Sequence, residues 1–233
     1  MGRSRRMSPA AATLIAVIAA MAAVTVLILT HKSDGHDGTS GTRGTVSAVI
    51  PAQALENECA ENARRLIADN YTVVRLFVTE GLPYDKESYG DRSDDGLYTV
   101  ISGEYRSLGQ IETLVRSVYT AAESDRILTR LPIRADNGAA LSETIVVYAD
   151  RKSDNDGTNV LGISKRFVPY TNYSKPWETL IVSVSPMNDE ECFVTAYLGA
   201  DERTELANVD KANILITKMI KENGEWRLCE LIF

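Results

Sequence analysis

Histidine is almost missing from this chain of 233 residues: there are two, His31 and His36. Both sit in a Gly-, Ser- and Thr-rich stretch, so nothing downstream can build a His-based triad, a Cys–His nucleophile or a His-ligated metal site. No GxSxG elbow, Walker loop or dinucleotide fingerprint is present either. What remains for catalysis is a carboxylate pair or a tyrosine–acid site, and 32 acidic residues supply some pair by number alone. The expectation is a non-enzymatic protein with no catalytic residue, no metal and no cofactor. Cysteine is scarce as well. Cys59, Cys192 and Cys229 are odd in number with no close pair, which is neither a disulfide framework nor a zinc pattern. They read as small buried hydrophobes, with a Cys192–Cys229 bridge between neighbouring strands left open.

The chain is not uniform along its length. Residues 1–8, MGRSRRMS, hold Arg3, Arg5 and Arg6 and no acid, and residues 9–30 hold no charge. Those 22 residues would span about 33 Å as a helix, enough for a hydrocarbon core of about 30 Å. The arginines put the N-terminus in the cytoplasm and the rest outside. A cleaved signal peptide is the alternative, but its apolar region usually runs about 7–15 residues. Here the small residues at Ala19–Ala23 lie mid-segment, and no cysteine follows for a lipid anchor. The reading is a cytoplasmic tail (1–8), a single-pass membrane anchor (9–30), a flexible linker (31–50) and one extracytoplasmic domain (51–233).

Charge sharpens that division. The first 50 residues carry Arg3, Arg5, Arg6, Lys32 and Arg43 against Asp34 and Asp37, a balance of +3. With −7 for the whole chain, the remainder carries −10. An acidic domain argues against nucleic acid and anionic lipid as partners and suits a basic one.

Within the domain, apolar residues recur at helical spacing from Ala52 to Gly81: Leu55, Cys59, Ala63, Leu66, Val73 and Phe77, with Asn70 on the same stripe. The β-branched second half predicts fraying or a break near Asn70. LYTVIS (97–102) reads as a strand. Ser107 with Gln110 makes a capping box before Ile111, Leu114, Val115 and Val118. Thr120 with Glu123 repeats the signal, so two short helices meet at a capped corner, the second ended by Pro132. Asp136-Asn137-Gly138 is a turn, and TIVVY (144–148) a strand. ETLIVSVSP and ECFVTAYLG form a hairpin, with Cys192, Val194, Ala196 and Leu198 on one face. NILITKMI and EWRLCELIF flank a second, Asn-Gly turn. Helices followed by an antiparallel sheet make this an α+β domain. No internal repeat is evident.

Four stretches carry possible recognition chemistry. Residues 80–95 hold six acids against Lys86 and Arg92. Asp85, Glu87, Asp91, Asp94 and Asp95 are the candidate partner-binding residues of this loop, steered by charge toward a basic cleft. A solvated loop without a partner is the plain reading. Asp154-Asn155-Asp156-Gly157 resembles the start of a calcium loop, but position twelve is Lys165 rather than Glu, so it reads as a solvated turn. The aromatics of FVPYTNYSKPW (167–177) read as a loop packed over its own core rather than a binding platform. Asn70-Tyr71-Thr72 and Asn172-Tyr173-Ser174 match the glycosylation sequon, a pattern that arises often by chance.

The run LYTVISGEYRSLGQIETLVRSVYTAAESDRIL, then DNGAAL, ETLIVSVSP and KENGEWRLCELI, resembles the IseA family of DL-endopeptidase inhibitors. The likeness rests on Tyr98, Tyr105, Ser107, Val118-Tyr119-Thr120, Asn137-Gly138, Gly224 and Trp226, and spans roughly residues 53–233. The closing hairpin is also similar to folds of the nuclear-transport-factor and cystatin kind. The IseA resemblance implies an extracytoplasmic, non-catalytic inhibitor of NlpC-type cell-wall hydrolases. Its partner would be a hydrolase with a basic cleft, and its family contact an acidic loop. Those inhibitors have cleaved signals, whereas this chain reads as keeping its anchor. No family residue is carried over for the contact. A small-molecule or peptide receptor with a tyrosine-lined pocket is the second expectation.

Overall fold

In the computed structural model, residues 52–85, 95–135, 137–153 and 157–233 are described. All lie in the unit Val49–Phe233. The anchor and linker, Glu87, Asp91 and Asp94 of the acidic loop, and Asp154–Asp156 fall outside the described residues. Among the described residues no helix is long and apolar enough to cross a membrane.

Helix α1 spans Ala52–Val74 and runs without interruption through Asn70. It contains neither proline nor glycine. Its stripe of Cys59, Ala63, Leu66, Asn70 and Val73 is fully buried. The break predicted near Asn70 is absent, because this polar residue is committed to tertiary hydrogen bonds that lock the helix there. A π-helical turn, Arg75–Thr79, follows instead. It ends where Gly81 adopts φ +72° with Phe167 packed against it, leaving no room for a Cβ.

Helices α2 (Leu108–Val118) and α3 (Ala121–Thr129) come next in the helical layer. The Ser107–Gln110 box forms as expected. At the corner the second box forms only by half. Thr120 Oγ1 accepts from the Glu123 N–H at 3.4 Å. The Thr120 N–H goes not to Glu123 but to the Leu228 carbonyl, at 2.9 Å. Helix α3 stops at Thr129, and Leu131 and Pro132 already belong to a strand. Pro132 is tolerated there because β3 is an edge strand.

Among the described residues the single sheet expected resolves into three antiparallel ones. One orders β1 (Tyr84–Asp85), β2 (Leu97–Val100), β6 (Asn159–Ser164) and β5 (Tyr148–Lys152). The second orders β10 (Glu225–Leu228), β9 (Ile214–Glu222), β8 (Glu191–Leu198) and β7 (Leu180–Pro186). The third pairs β3 (Leu131–Arg134) with β4 (Ala140–Ile145) around Asn137-Gly138. TIVVY is not one strand. Ile145 closes β4, Tyr148 opens β5, and Val146-Val147 carries the chain between sheets. Val147 and Tyr148 are both buried, which strict alternation on one strand forbids.

The core lies between α1 with α2 and the inner face of the β7–β10 sheet. Cys192, Val194, Ala196 and Leu198 point inward at 1% exposure or less. They meet Leu66 and Val73 from α1, Ile111 and Val115 from α2, and Met219 and Leu228 from the sheet. The small side chains Cys59 and Ala63 let α1 lie close to the strands. The β9–β10 turn is the predicted one, with Asn223 at φ 53° and Gly224 at φ 83°. Strand β9 separates β8 from β10, so Cys192 and Cys229 stand two strand spacings apart, about 9–10 Å, too far for a bridge. Instead the Cys192 thiol faces that of Cys59 on α1, and all three cysteines are free.

Past Cys229, whose N–H still reaches the Lys218 carbonyl at 2.9 Å, the chain leaves the sheet and is held by side chains. Asn70 donates from Nδ2 to the Ile232 carbonyl at 2.8 Å and accepts from the Ile232 N–H at 3.2 Å. The same Oδ1 accepts from the Tyr119 hydroxyl at 2.8 Å. Glu123 accepts from the Leu231 N–H at 2.7 Å while its carboxylate is clasped by Arg126. The helix corner therefore serves as a clamp for the C-terminal residues. Asn70 is fully buried, so its sequon is closed to glycosylation in the folded protein.

Candidate binding site

A concavity begins where α1 gives way to the π turn. It is a cleft of about 610 Å³ bordered by Thr72, Arg75, Leu76, residues 80–84, Ser102 and Glu104. The π turn widens the backbone, so that the Glu80 and Gly81 N–H groups share the Arg75 carbonyl at 2.9 and 3.0 Å. The Arg75 guanidinium folds back on Glu80, with Nη2 to Oε2 at 2.8 Å. The Glu80 carboxylate raises the Arg75 pKa, but both side chains are about half exposed, so the pair adds little stability. Glu104 lies on the same rim.

The wall behind the cleft is tied together by hydrogen bonds and a ring stack. The buried Tyr148 hydroxyl donates to the Leu76 carbonyl at 2.7 Å and accepts from the Leu82 N–H at 3.0 Å. Burial raises its pKa, so it stays a donor. Tyr84 stacks on Tyr98 at 4.8 Å between ring centres, with planes 12° apart. Ile101 N–H reaches the Pro83 carbonyl at 2.9 Å. Tyr105 is shifted upward by burial first and by Glu104 next.

The candidate acids divide. Asp85 is half-buried in β1, opposite Thr99, and follows Tyr84, which lines the cleft. Asp95 is committed inward. Its Oδ2 lies 3.1 Å from Arg151 Nε, and the Arg151 side chain is only 4% exposed. Arg151 also donates to Thr99 Oγ1 at 2.8 Å, and Asp95 Oδ1 accepts from the Leu97 N–H at 3.0 Å. Asp95 thus neutralises a buried cation and fixes one root of the acidic segment. The structure therefore brings both ends of that segment to β1 and β2, which are hydrogen-bonded neighbours.

Sequence reasoning missed the groove itself. Arg75, Glu80 and Glu104 are scattered in sequence, and only the π turn with the β1–β2 pairing gathers them. A β-branched run ending at Gly81 was the one local signal. The aromatic loop does cover its own core. Trp177 is buried, stacks on Tyr71 at 4.9 Å, and donates from Nε1 to the Tyr173 hydroxyl at 3.0 Å. Among the described residues no group of three or more His, Cys, Asp or Glu side chains converges as a metal site would require.

No protein-family model matches this chain, and no curated protein matches it in sequence.

Proposed function

We propose that the protein is a membrane-anchored, extracytoplasmic, non-catalytic inhibitor of NlpC-type peptidoglycan DL-endopeptidases. Docking runs through the acidic segment between Asp85 and Asp95. The observation that carries this reading is the mounting of that segment. Its roots, Asp85 and Asp95, are tied to paired strands beside a cleft rimmed by Glu80 and Glu104. A dense negative charge between two anchored ends steers a basic groove onto it. In this account Asp85, Glu87, Asp91 and Asp94 meet the hydrolase, whereas Asp95 holds the frame through Arg151. The resemblance to the IseA family supplies the hydrolase class. The packed interior speaks against the receptor alternative, since the space between α1 and the sheet is filled by side chains.

The experiment is a pull-down of NlpC-type endopeptidases by the full chain in detergent micelles, repeated with Asp85→Asn, Glu87→Gln, Asp91→Asn and Asp94→Asn combined. Capture that weakens with the substitutions and with added salt supports the proposal. Capture indifferent to both overturns the assignment of the loop.

A further inference from the structure

Two thiols stand face to face inside the core, and the candidate binding site uses neither. Cys59 lies on α1 and Cys192 on β8, far apart in sequence, and both are fully buried. The side chain of each is in hydrogen-bonding contact with the other. Their approach is fixed from outside the pair. Glu58, the residue before Cys59, takes Lys221 Nζ and Trp226 Nε1 on the same carboxylate oxygen, each at 2.8 Å. Lys221 stands two residues along β9 from Met219, the residue paired with Cys192. Ala63, one turn on from Cys59, is equally buried, so no bulky side chain holds the helix off the sheet there.

What two such thiols can do is narrow. A structural metal needs more ligands than two, and among the described residues no group of three or more His, Cys, Asp or Glu side chains converges. A nucleophilic or redox-sensing thiol is accessible and held as thiolate by a nearby positive charge. Here burial raises the pKa of both thiols instead. The reaction left is bonding of one sulfur to the other. Cys229 does not compete for Cys192, because β9 lies between their strands.

We propose that Cys59 and Cys192 close to a disulfide that staples α1 to β8, and that the bond is made while the chain folds rather than afterwards. The oxidant is a small-molecule disulfide such as oxidised glutathione. One cysteine thiolate attacks it, displacing a glutathione thiolate and leaving a mixed disulfide. The second cysteine thiolate attacks the protein sulfur of that bond and displaces the other glutathione. Two electrons pass to the glutathione sulfurs, and the two thiol protons end on the two molecules released. The packed core admits no such molecule, so formation and reduction both require the helix to lift. The extracytoplasmic location of the proposed function is a compartment where such bonds persist. The test needs neither that location nor a hydrolase, so the two proposals fail separately.

The full chain is unfolded in urea with reductant, then refolded in detergent micelles in glutathione buffers running from reducing to oxidising. Free thiols are alkylated under denaturing conditions, and the peptides are mapped by mass spectrometry without reduction. The expected result at the oxidising end is a linked Cys59–Cys192 peptide, with Cys229 alkylated and native circular dichroism regained. The urea midpoint should rise above that of the reduced chain, because the bridge closes a long loop. Cys59→Ala or Cys192→Ala should abolish the rise. The mapping uses the unsubstituted chain, so it stays decisive even where a variant fails to fold. Oxidation of the already folded, reduced chain should be at least about tenfold slower. No Cys59–Cys192 link at the oxidising end overturns the proposal, whether the thiols stay free or Cys229 takes one of them. So does a linked chain that does not regain the native fold. Oxidation as fast in the folded chain as during refolding overturns it too, because the bond would then not depend on folding.

Discussion

Removing the side-chain amide of Asn70 should be among the most damaging single changes this domain can suffer, though no ligand is involved. Asn70 sits at zero exposure near the C-terminal end of α1. It satisfies three buried groups at once: the Tyr119 hydroxyl and both the N–H and carbonyl of Ile232. Asn70→Ala leaves all three without partners. Each buried polar group so orphaned costs about 1–3 kcal/mol, and partial relaxation of the tail recovers some of it. The expected loss is roughly 3–5 kcal/mol, against a typical total of about 5–15 kcal/mol. Urea unfolding of the full chain in micelles, followed by fluorescence of Trp177 and Trp226, gives the difference. Amide exchange of Leu231 and Ile232 should accelerate well before global unfolding, because the tail loses its clamp first. Tyr119→Phe on the Asn70→Ala background should cost little more, since the two groups share one network. A loss under about 1 kcal/mol, with tail exchange unchanged, would refute the clamp.

Thr120→Ala should cost about 0.5–2 kcal/mol, the usual range for a lost N-cap, read from the same urea curves. Hydrolase capture should be untouched, because the corner lies away from the cleft. Asp95→Asn should cost about 1–3 kcal/mol by withdrawing a charged partner from the buried Arg151, measured as a lower melting temperature. The protein should also be sensitive to alkali. Burial raises the tyrosines Tyr119, Tyr148 and Tyr173 and the thiols Cys59 and Cys192, Tyr173 and Cys192 each to about 12. The folded state therefore holds these protons more tightly than the unfolded chain. That stability is complete below the ordinary values of about 8.5 for cysteine and 10 for tyrosine, and drains away as pH rises toward the folded values. Melting temperature against pH should fall from about pH 9 upward. A curve flat to pH 11 would contradict the burial of these groups.

Much of this architecture could be read from residue patterns, and the failures share one cause. The α1 stripe, the Ser107–Gln110 box, the inward row Cys192–Leu198 and the Asn223-Gly224 turn are local signals. Each depends on residues a few positions apart, so the pattern is complete within the element. Asn70 misled because a polar, β-branched stretch looks weak until its partners, Tyr119 and Ile232, arrive from far along the chain. The Thr120–Glu123 box had the right spacing, but Leu228 and Leu231 offered competing partners and took half of it. TIVVY has strand propensity throughout, and only the two different sheets on either side split it. The acidic segment was visible as composition, yet Asp95 could not be separated from its neighbours without Arg151. The cleft at the end of α1 had no signature beyond the β-branched residues that open into the π turn.

Turnover of a muropeptide by a purified NlpC-type endopeptidase, titrated with the full chain in micelles, tests the central claim most directly. The account predicts a rate that falls saturably as the chain approaches stoichiometric excess. It also predicts that the fall weakens when Asp85, Glu87, Asp91 and Asp94 are neutralised. Unchanged turnover at large molar excess, across several such enzymes, would contradict it.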